Sequence, residues 1–322
     1  MNKFGTLGAA LVVITILLLS IPQFVIAQDA PTLYDKQTDP VSLIASYYNA
    51  ITRQDYTRAY DYWLDGRVPN GESLQEFAAG FSNVNEVRAM ARLPVRGGVA
   101  AGTTYVDIPV VVVATLDDGE KELYAGCFRT LHFNVGIGNP PVVDPNWYLE
   151  SASLQAVDDI DFEQATTACL LAESFPAAYG IDTQFSPIDV ISSYYDAIAA
   201  GDYVRAYNYW LNGAPGQTLT DFAAGFSDTE GIEVLVGLSF QEGVAAGSTY
   251  ASLPVLVTAT DNLIPQVFVG CFTTRKANVP IGTTPSPDPN WYLYSADFHE
   301  AASFEAGLQL LWDVCPETGL AP

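Results

Sequence analysis

Proton-transfer chemistry in a pocket needs a histidine or a carboxylate placed where a substrate can reach it, and this chain of 322 residues has only two histidines, His132 and His299. His132 falls late in a stretch rich in β-branched and aromatic residues, and His299 falls at the start of the C-terminal tail. A packing or surface role is the reading for both. Among carboxylates, Asp107 lies inside a predicted strand and Glu122 opens another. A buried carboxylate is a general-base candidate. Alternation along the strand, however, puts Val106, Ile108 and Val110 on one face and Tyr105, Asp107 and Pro109 on the other. The first set reads as core, so Asp107 is expected to face outward.

Two arginines, Arg58 and Arg205, each stand three residues after an aspartate, Asp55 and Asp202. An ion pair on a helix surface accounts for them, with anion binding inside a pocket as the alternative. The pairs Tyr62-Trp63 and Tyr209-Trp210 either pack in a core or, with Trp147 and Trp291, wall a pocket beside Arg58 and Arg205. Such aromatic walls suit a small apolar or sugar-like ligand. No Gly-x-Ser-x-Gly elbow, phosphate-binding loop, dinucleotide fingerprint or zinc motif occurs, so the sequence implies no catalytic residue, cofactor or metal. Asp144-Pro145-Asn146 and Asp288-Pro289-Asn290 lack the further spaced oxygens of a calcium loop and read as turns before strands.

The elements that must position these residues come from a chain that is 49% hydrophobic and only 16% charged, well below the roughly 25% charged typical of soluble domains. Sizeable cores are therefore available. The excess of 37 acidic over 13 basic residues gives a formal charge of −24. That charge repels phosphate backbones and anionic lipid surfaces, which excludes nucleic-acid binding and basic-patch membrane binding.

The N-terminus reads as an export signal. Lys3 supplies the positive end, Leu7 to Leu19 is uncharged and apolar, and Val25-Ile26-Ala27 fits a cleavage site before Gln28. An uncleaved anchor over residues 5–27 is the alternative, since that segment matches the ~20 residues needed to span a bilayer. In either case the remainder lies outside the cytoplasm, secreted or in the cell envelope.

The second half of the chain repeats the first. Ser46-Tyr47-Tyr48-Asn49-Ala50-Ile51 and Asp55-Tyr56-Thr57-Arg58-Ala59-Tyr60-Asp61-Tyr62-Trp63-Leu64 return as Ser193-Tyr194-Tyr195-Asp196-Ala197-Ile198 and Asp202-Tyr203-Val204-Arg205-Ala206-Tyr207-Asn208-Tyr209-Trp210-Leu211. Phe77 to Ser82 matches Phe222 to Ser227, Gly98 to Gly102 matches Gly243 to Gly247, and Asp144 to Leu149 matches Asp288 to Leu293. The two histidines fall at non-equivalent places, so the copies share no histidine-centred site.

Within each copy, Ile44, Tyr47, Tyr48 and Ile51, then Tyr56, Ala59, Tyr60 and Trp63, recur at helical spacing, with Asp55 as an N-cap. A short helix is predicted near Ser73 to Phe81. Strands follow over Tyr105 to Thr115, Glu122 to Phe133 and Trp147 to Leu154. Helices first and an antiparallel sheet second make an α+β arrangement. This order, opened by the Tyr-Tyr-x-Ala-Ile…Asp-Tyr-x-x-Ala-Tyr-x-Tyr-Trp-Leu string, resembles the nuclear transport factor 2-like superfamily, including its SnoaL-like members, over about residues 40–155 and 187–300. The resemblance implies two tandem cones, each a curved sheet around helices with a pocket at its open end. The superfamily holds isomerases, dehydratases and cyclases beside non-catalytic binding domains, so the fold does not decide the activity.

Four cysteines allow three pairings, and the duplication chooses one. Gly126-Cys127-Phe128 matches Gly270-Cys271-Phe272, and each is followed by one cysteine in its own tail, which gives Cys127–Cys169 and Cys271–Cys315. A metal site would need closer spacing or histidine partners. The tails read as helices through Phe162, Ala165 and Cys169 and through Phe304, Leu308, Leu311, Trp312 and Cys315, the second longer by about one turn. Each is expected to be stapled to a strand and to cover part of the sheet's outer face. Because relatives of the resembled family dimerise through that face, the copies are expected to form an intramolecular pseudo-dimer and the chain a monomer.

The resulting organisation is a signal (1–27), a leader (28–39), a first domain (40–176), a connector (177–186) and a second domain (187–322). Phe175, Tyr179 and Phe185 suggest that the connector packs on a surface. The function expected is that of an exported binding or interaction module, its partner a small-molecule ligand or an envelope protein. A lyase or isomerase on a small apolar substrate, and a structural envelope subunit anchored by its N-terminal helix, are the alternatives.

Overall fold

The computed structural model describes residues 33–93, 95–134, 136, 144–160, 162–171, 182–261, 264–278, 288 and 290–315. The export signal, Phe175, Tyr179 and residues 177–181 of the connector lie outside the described residues.

The first copy opens with α1 (Pro40–Thr52), started by Pro40 and capped by Asp39, whose carboxylate accepts the N–H of Val41 and of Ser42 at 3.1 and 2.8 Å. This helix is buried almost all round, as befits a core helix. Next come α2 (Tyr56–Asp61), capped by Asp55 as expected, and α3 (Leu74–Gly80), which begins with a Ser73–Glu76 capping box. Five strands follow: β1 (Val84–Leu93), β2 (Arg96–Ala100), β3 (Thr103–Leu116), β4 (Lys121–Phe133) and β5 (Trp147–Ala156). The tail forms α4 (Phe162–Leu171). The second copy repeats the order with α5 (Pro187–Ala199), α6 (Tyr203–Asn208), α7 (Leu219–Ala224), β6 (Thr229–Gly237), β7 (Gln241–Ala245), β8 (Ser248–Asp261), β9 (Ile264–Ala277), β10 (Trp291–Ala301) and α8 (Phe304–Leu310).

All ten strands belong to one antiparallel sheet in the order β10-β9-β8-β6-β1-β3-β4-β5, with β2 and β7 added beside β3 and β8. The copies therefore join edge to edge. Met90, Ala91, Arg92 and Leu93 of β1 pair with Gly237, Val236, Leu235 and Val234 of β6. This differs from the expected face-to-face pseudo-dimer, and the reason is visible on the outer face, which each copy covers with its own tail. One hydrophobic cluster, built from α1, α5 and the inward residues of both half-sheets, occupies the helical side. A second, containing Met90, Val111, Phe162, Leu235, Leu256 and Leu308, fills the space under α4 and α8.

Both expected bridges form. Cys127 in β4 joins Cys169 in α4, and Cys271 in β9 joins Cys315 just beyond α8. The four extra residues of the second tail do not lengthen its helix. α8 ends at Leu310, and the surplus forms the turn that brings Cys315 back to the sheet. Gly126 and Gly270 precede the sheet cysteines because the neighbouring strand crosses so closely there. A Cβ on Gly126 would stand 1.8 Å from the Ser153 carbonyl oxygen. Phe185, expected to pack on a surface, is exposed instead. No helix among the described residues is long and apolar enough to cross a membrane. The two disulfides fit an oxidising, extracytoplasmic setting.

Candidate functional site

The aromatic pairs sit where the second short helix of each copy meets the end strand of the sheet. Trp63 bridges to Leu149 and Trp210 to Leu293, while the Leu149 and Leu293 N–H groups donate to the Tyr62 and Tyr209 carbonyls, both at 2.9 Å. Trp63 packs edge-on against Tyr47 with centroids 6.0 Å apart, and Trp210 packs likewise against Tyr194, also at 6.0 Å. Trp147 and Trp291 are buried at the starts of β5 and β10, their N–H groups bonded to the Gln37 and Gln184 carbonyls. The rings are core in both copies.

The hydroxyls and arginines form a repeated latch. Tyr62 donates to Asp35 at 2.7 Å, and Tyr209 donates to Asp182. Burial, with the Asp182 carboxylate next in effect, pushes the Tyr209 hydroxyl up to about 12. Arg58 binds Asp55 at 3.0 Å, the Tyr34 carbonyl at 2.8 Å, the Tyr62 hydroxyl at 3.1 Å and Asn49 at 3.1 Å. Arg205 pairs with Asp196 at 3.0 Å and Asp202 at 3.3 Å. Both guanidinium groups are thus occupied, Arg58 in tying the incoming chain to the helices and Arg205 in tying α5 to the start of α6.

Asp107 corrects the expectation drawn from strand alternation. It does point away from the helical core, but it is only 3% exposed. Arg129, directly across on β4, lies over it and donates twice, from Nε at 2.7 Å and from a terminal nitrogen at 2.8 Å. A carboxylate clamped in this way is a structural anion, not a free base. His132 stacks on Trp147 at 5.3 Å, and His299 is exposed within β10 and not in the tail. The Asp144 and Asp288 carboxylates each accept an N–H from the asparagine two residues on at 3.0 Å, the expected turns.

Where the starts of α1 and α5 approach, Asp39 and Asp189 are buried at 4% and 1% exposure. They hold non-equivalent positions, first cap in one copy and first turn in the other. Both Asp189 oxygens lack a hydrogen bond of acceptable geometry. The Thr183 hydroxyl and the Phe185 and Ser186 N–H groups offset only part of the burial, and the charge of Asp39 adds to it, so the carboxyl is raised well above its ordinary range. Asp39 is raised by burial too, against bonds from Ser42 and Ser186. The other ionisable groups facing this pair are Tyr34 from the leader and Glu242 from β7, the latter itself near Lys36 and Lys276.

A raised carboxyl pKa means that the folded state holds the proton more tightly than the unfolded chain does. The stability it contributes is complete below the unfolded value near ~4 and is lost as pH rises through the folded value. Asp189→Asn is therefore expected to stabilise the protein at neutral pH by about 1–3 kcal/mol, with the gain shrinking toward mild acid. Urea titrations of both proteins across that range check it. A gain that grows as pH falls would contradict the assignment.

A cavity of about 380 Å³ with aromatic walls lies in the second copy. Tyr194 and Tyr195 from α5 and Val257 from β8 form its buried floor, and Phe226, Phe268 and Phe298 form its half-buried sides. Ser227, Asp228 and Gln266 stand exposed at its mouth. None of the eight residues singled out from the sequence, Arg58, Tyr62, Trp63, Trp147, Arg205, Tyr209, Trp210 and Trp291, lines it. Tyr194 and Tyr195 had a sequence signal in the repeated Tyr-Tyr string, whereas Phe268 and Phe298 converge only through strand register. No protein-family model matches the chain, and no curated protein matches its sequence.

Proposed function

We propose that the protein is an exported, non-catalytic binding module made of two duplicated cone-shaped units of the nuclear transport factor 2-like kind, the second of which holds a small, mainly apolar ligand. The observation that carries this reading is the aromatic cavity over α5, with Tyr194, Tyr195 and Val257 at its floor, phenylalanines on its sides and charged and amide groups at its mouth. That distribution desolvates an apolar body and leaves one polar end in water. The buried carboxylates Asp39, Asp107 and Asp189 stand elsewhere, in the junction of the copies or under Arg129, and the two carboxylates that line the cavity, Asp228 and Asp261, are exposed and half-buried, which favours binding over proton-transfer chemistry in this cavity.

The test is titration with N-phenyl-1-naphthylamine, a neutral probe that fluoresces in apolar surroundings. One probe is expected to bind per chain, and Ala259→Trp, which fills the cavity from its β8 wall, is expected to weaken binding at least about tenfold, equivalent to 1.4 kcal/mol. Equal affinity in a folded Ala259→Trp protein would overturn the assignment.

A further inference from the structure

The join between the copies has a pseudo-twofold axis, because Ala91 pairs with Val236, its own counterpart in the repeat. Side chains flanking that axis should therefore come in matched sets, and at one place they do not. On one flank Arg92 donates to the Thr166 hydroxyl at 2.7 Å and pairs with Glu233 beneath α4, beside a cavity of about 240 Å³ whose polar walls include this pair. The counterparts of Arg92, Glu233 and Thr166, the last aligned on the tail cysteines, are Gly237, Arg88 and Trp312. The other flank therefore has different walls, aromatic where the first is an ion pair. Arg88 and Trp312 border a cleft of about 210 Å³ that residues of both copies line.

The exchange is concerted. A Cβ at position 237 would stand 2.7 Å from Pro254 Cγ and 2.9 Å from the Trp312 ring, so glycine is what lets Trp312 sit there. The Arg88 guanidinium lies 5.6 Å from the Trp312 ring centroid and is steadied by Glu86 through Nε at 2.9 Å. Its terminal nitrogens donate no hydrogen bond among the described residues. Tyr34 and Phe240 add ring surface, and Gln241 adds a planar polar group.

We propose that this cleft is a second binding site, independent of the aromatic cavity, for one neutral pyranose ring, either a free monosaccharide or the terminal residue of a glycan. The size admits a single ring. Aromatic faces pack against the apolar C–H face of a sugar, and planar donors and acceptors bind its neighbouring hydroxyls. Glu86 beside Arg88 and the overall charge of −24 disfavour an anion.

Trp312 also provides the readout, since it is half-buried while Trp63, Trp147, Trp210 and Trp291 are buried. The full chain is titrated with methyl β-glucopyranoside and N-acetylglucosamine as free-ring probes, and with cellobiose and chitobiose as chain-end probes. At least one is expected to give a saturable change in tryptophan emission with a Kd of about 1 mM or tighter. Tighter binding of the disaccharides identifies a chain end, and equal binding identifies a free ring. Arg88→Met is expected to weaken binding about tenfold with an unchanged melting curve, and Trp312→Leu is expected to abolish the signal. No saturable change with any of the four sugars would overturn the proposal, as would undiminished binding to the Arg88→Met protein. Occupancy of the aromatic cavity by N-phenyl-1-naphthylamine bears on neither result.

Discussion

Replacing Arg129 by threonine is expected to lower the unfolding free energy by about 3–5 kcal/mol, the range for breaking a buried ion pair by removing one partner. The Asp107 side chain is 4% exposed, and both of its oxygens receive Arg129 donors. Without the guanidinium, a buried carboxylate must either stay ionised with no partner or take up a proton. The duplication supplies its own control. In the second copy the same register pairs Ser252 with Thr273, an uncharged solution on the same scaffold. Adding Asp107→Ser to Arg129→Thr should therefore return most of the loss. Guanidinium denaturation of the single and double variants measures both steps. A single variant that loses less than about 1 kcal/mol, the worth of an exposed pair, would mean that Asp107 is not buried as described. A double variant as weak as the single one would mean that the pair does more than compensate for its own burial.

Removing either disulfide is expected to cost about 4 kcal/mol by the chain-entropy treatment, since the bridged cysteines are 42 and 44 residues apart. The near-equal spans predict near-equal losses for Cys127→Ala/Cys169→Ala and for Cys271→Ala/Cys315→Ala. Opening both removes a large share of the 5–15 kcal/mol that holds a typical domain. It also frees α4 and α8, whose apolar faces cover Met90, Val111, Leu235 and Leu256. Reductant should therefore lower the Tm sharply and expose apolar surface on the outer side of the sheet. An unchanged melt with four free thiols counted would contradict the staple role.

The bridges were legible because the copies read each other. Equivalent Gly-Cys-Phe strings with one further cysteine apiece leave one symmetrical pairing, and alternation along β3 correctly set Val106, Ile108 and Val110 inward. β1 was not legible. Glu86-Val87-Arg88-Ala89-Met90-Ala91 is rich in helix formers, yet it becomes a central strand because β3 and β6 pair with it on both edges. Asp107 illustrates a second limit. The period of two fixed its face but could not show that the register of β3 on β4 lays Arg129 across it. Asp39 and Asp189 come close only when two helix starts meet at the junction, and they occupy different positions in the repeat, so comparing the copies hid them. The cavity was half legible. The Tyr-Tyr string marks its floor, but its walls come from β9 and β10, and their register alone brings Phe268 and Phe298 over α5.

Native mass spectrometry of the protein recovered from its own host tests the central proposal most directly. The expected result is a chain that begins at Gln28, retains both disulfides and carries a bound small molecule, and that loses this molecule in the Ala259→Trp variant. A chain that arrives without a small molecule and instead carries protein partners would contradict the binding role and point to an assembly subunit of the cell envelope.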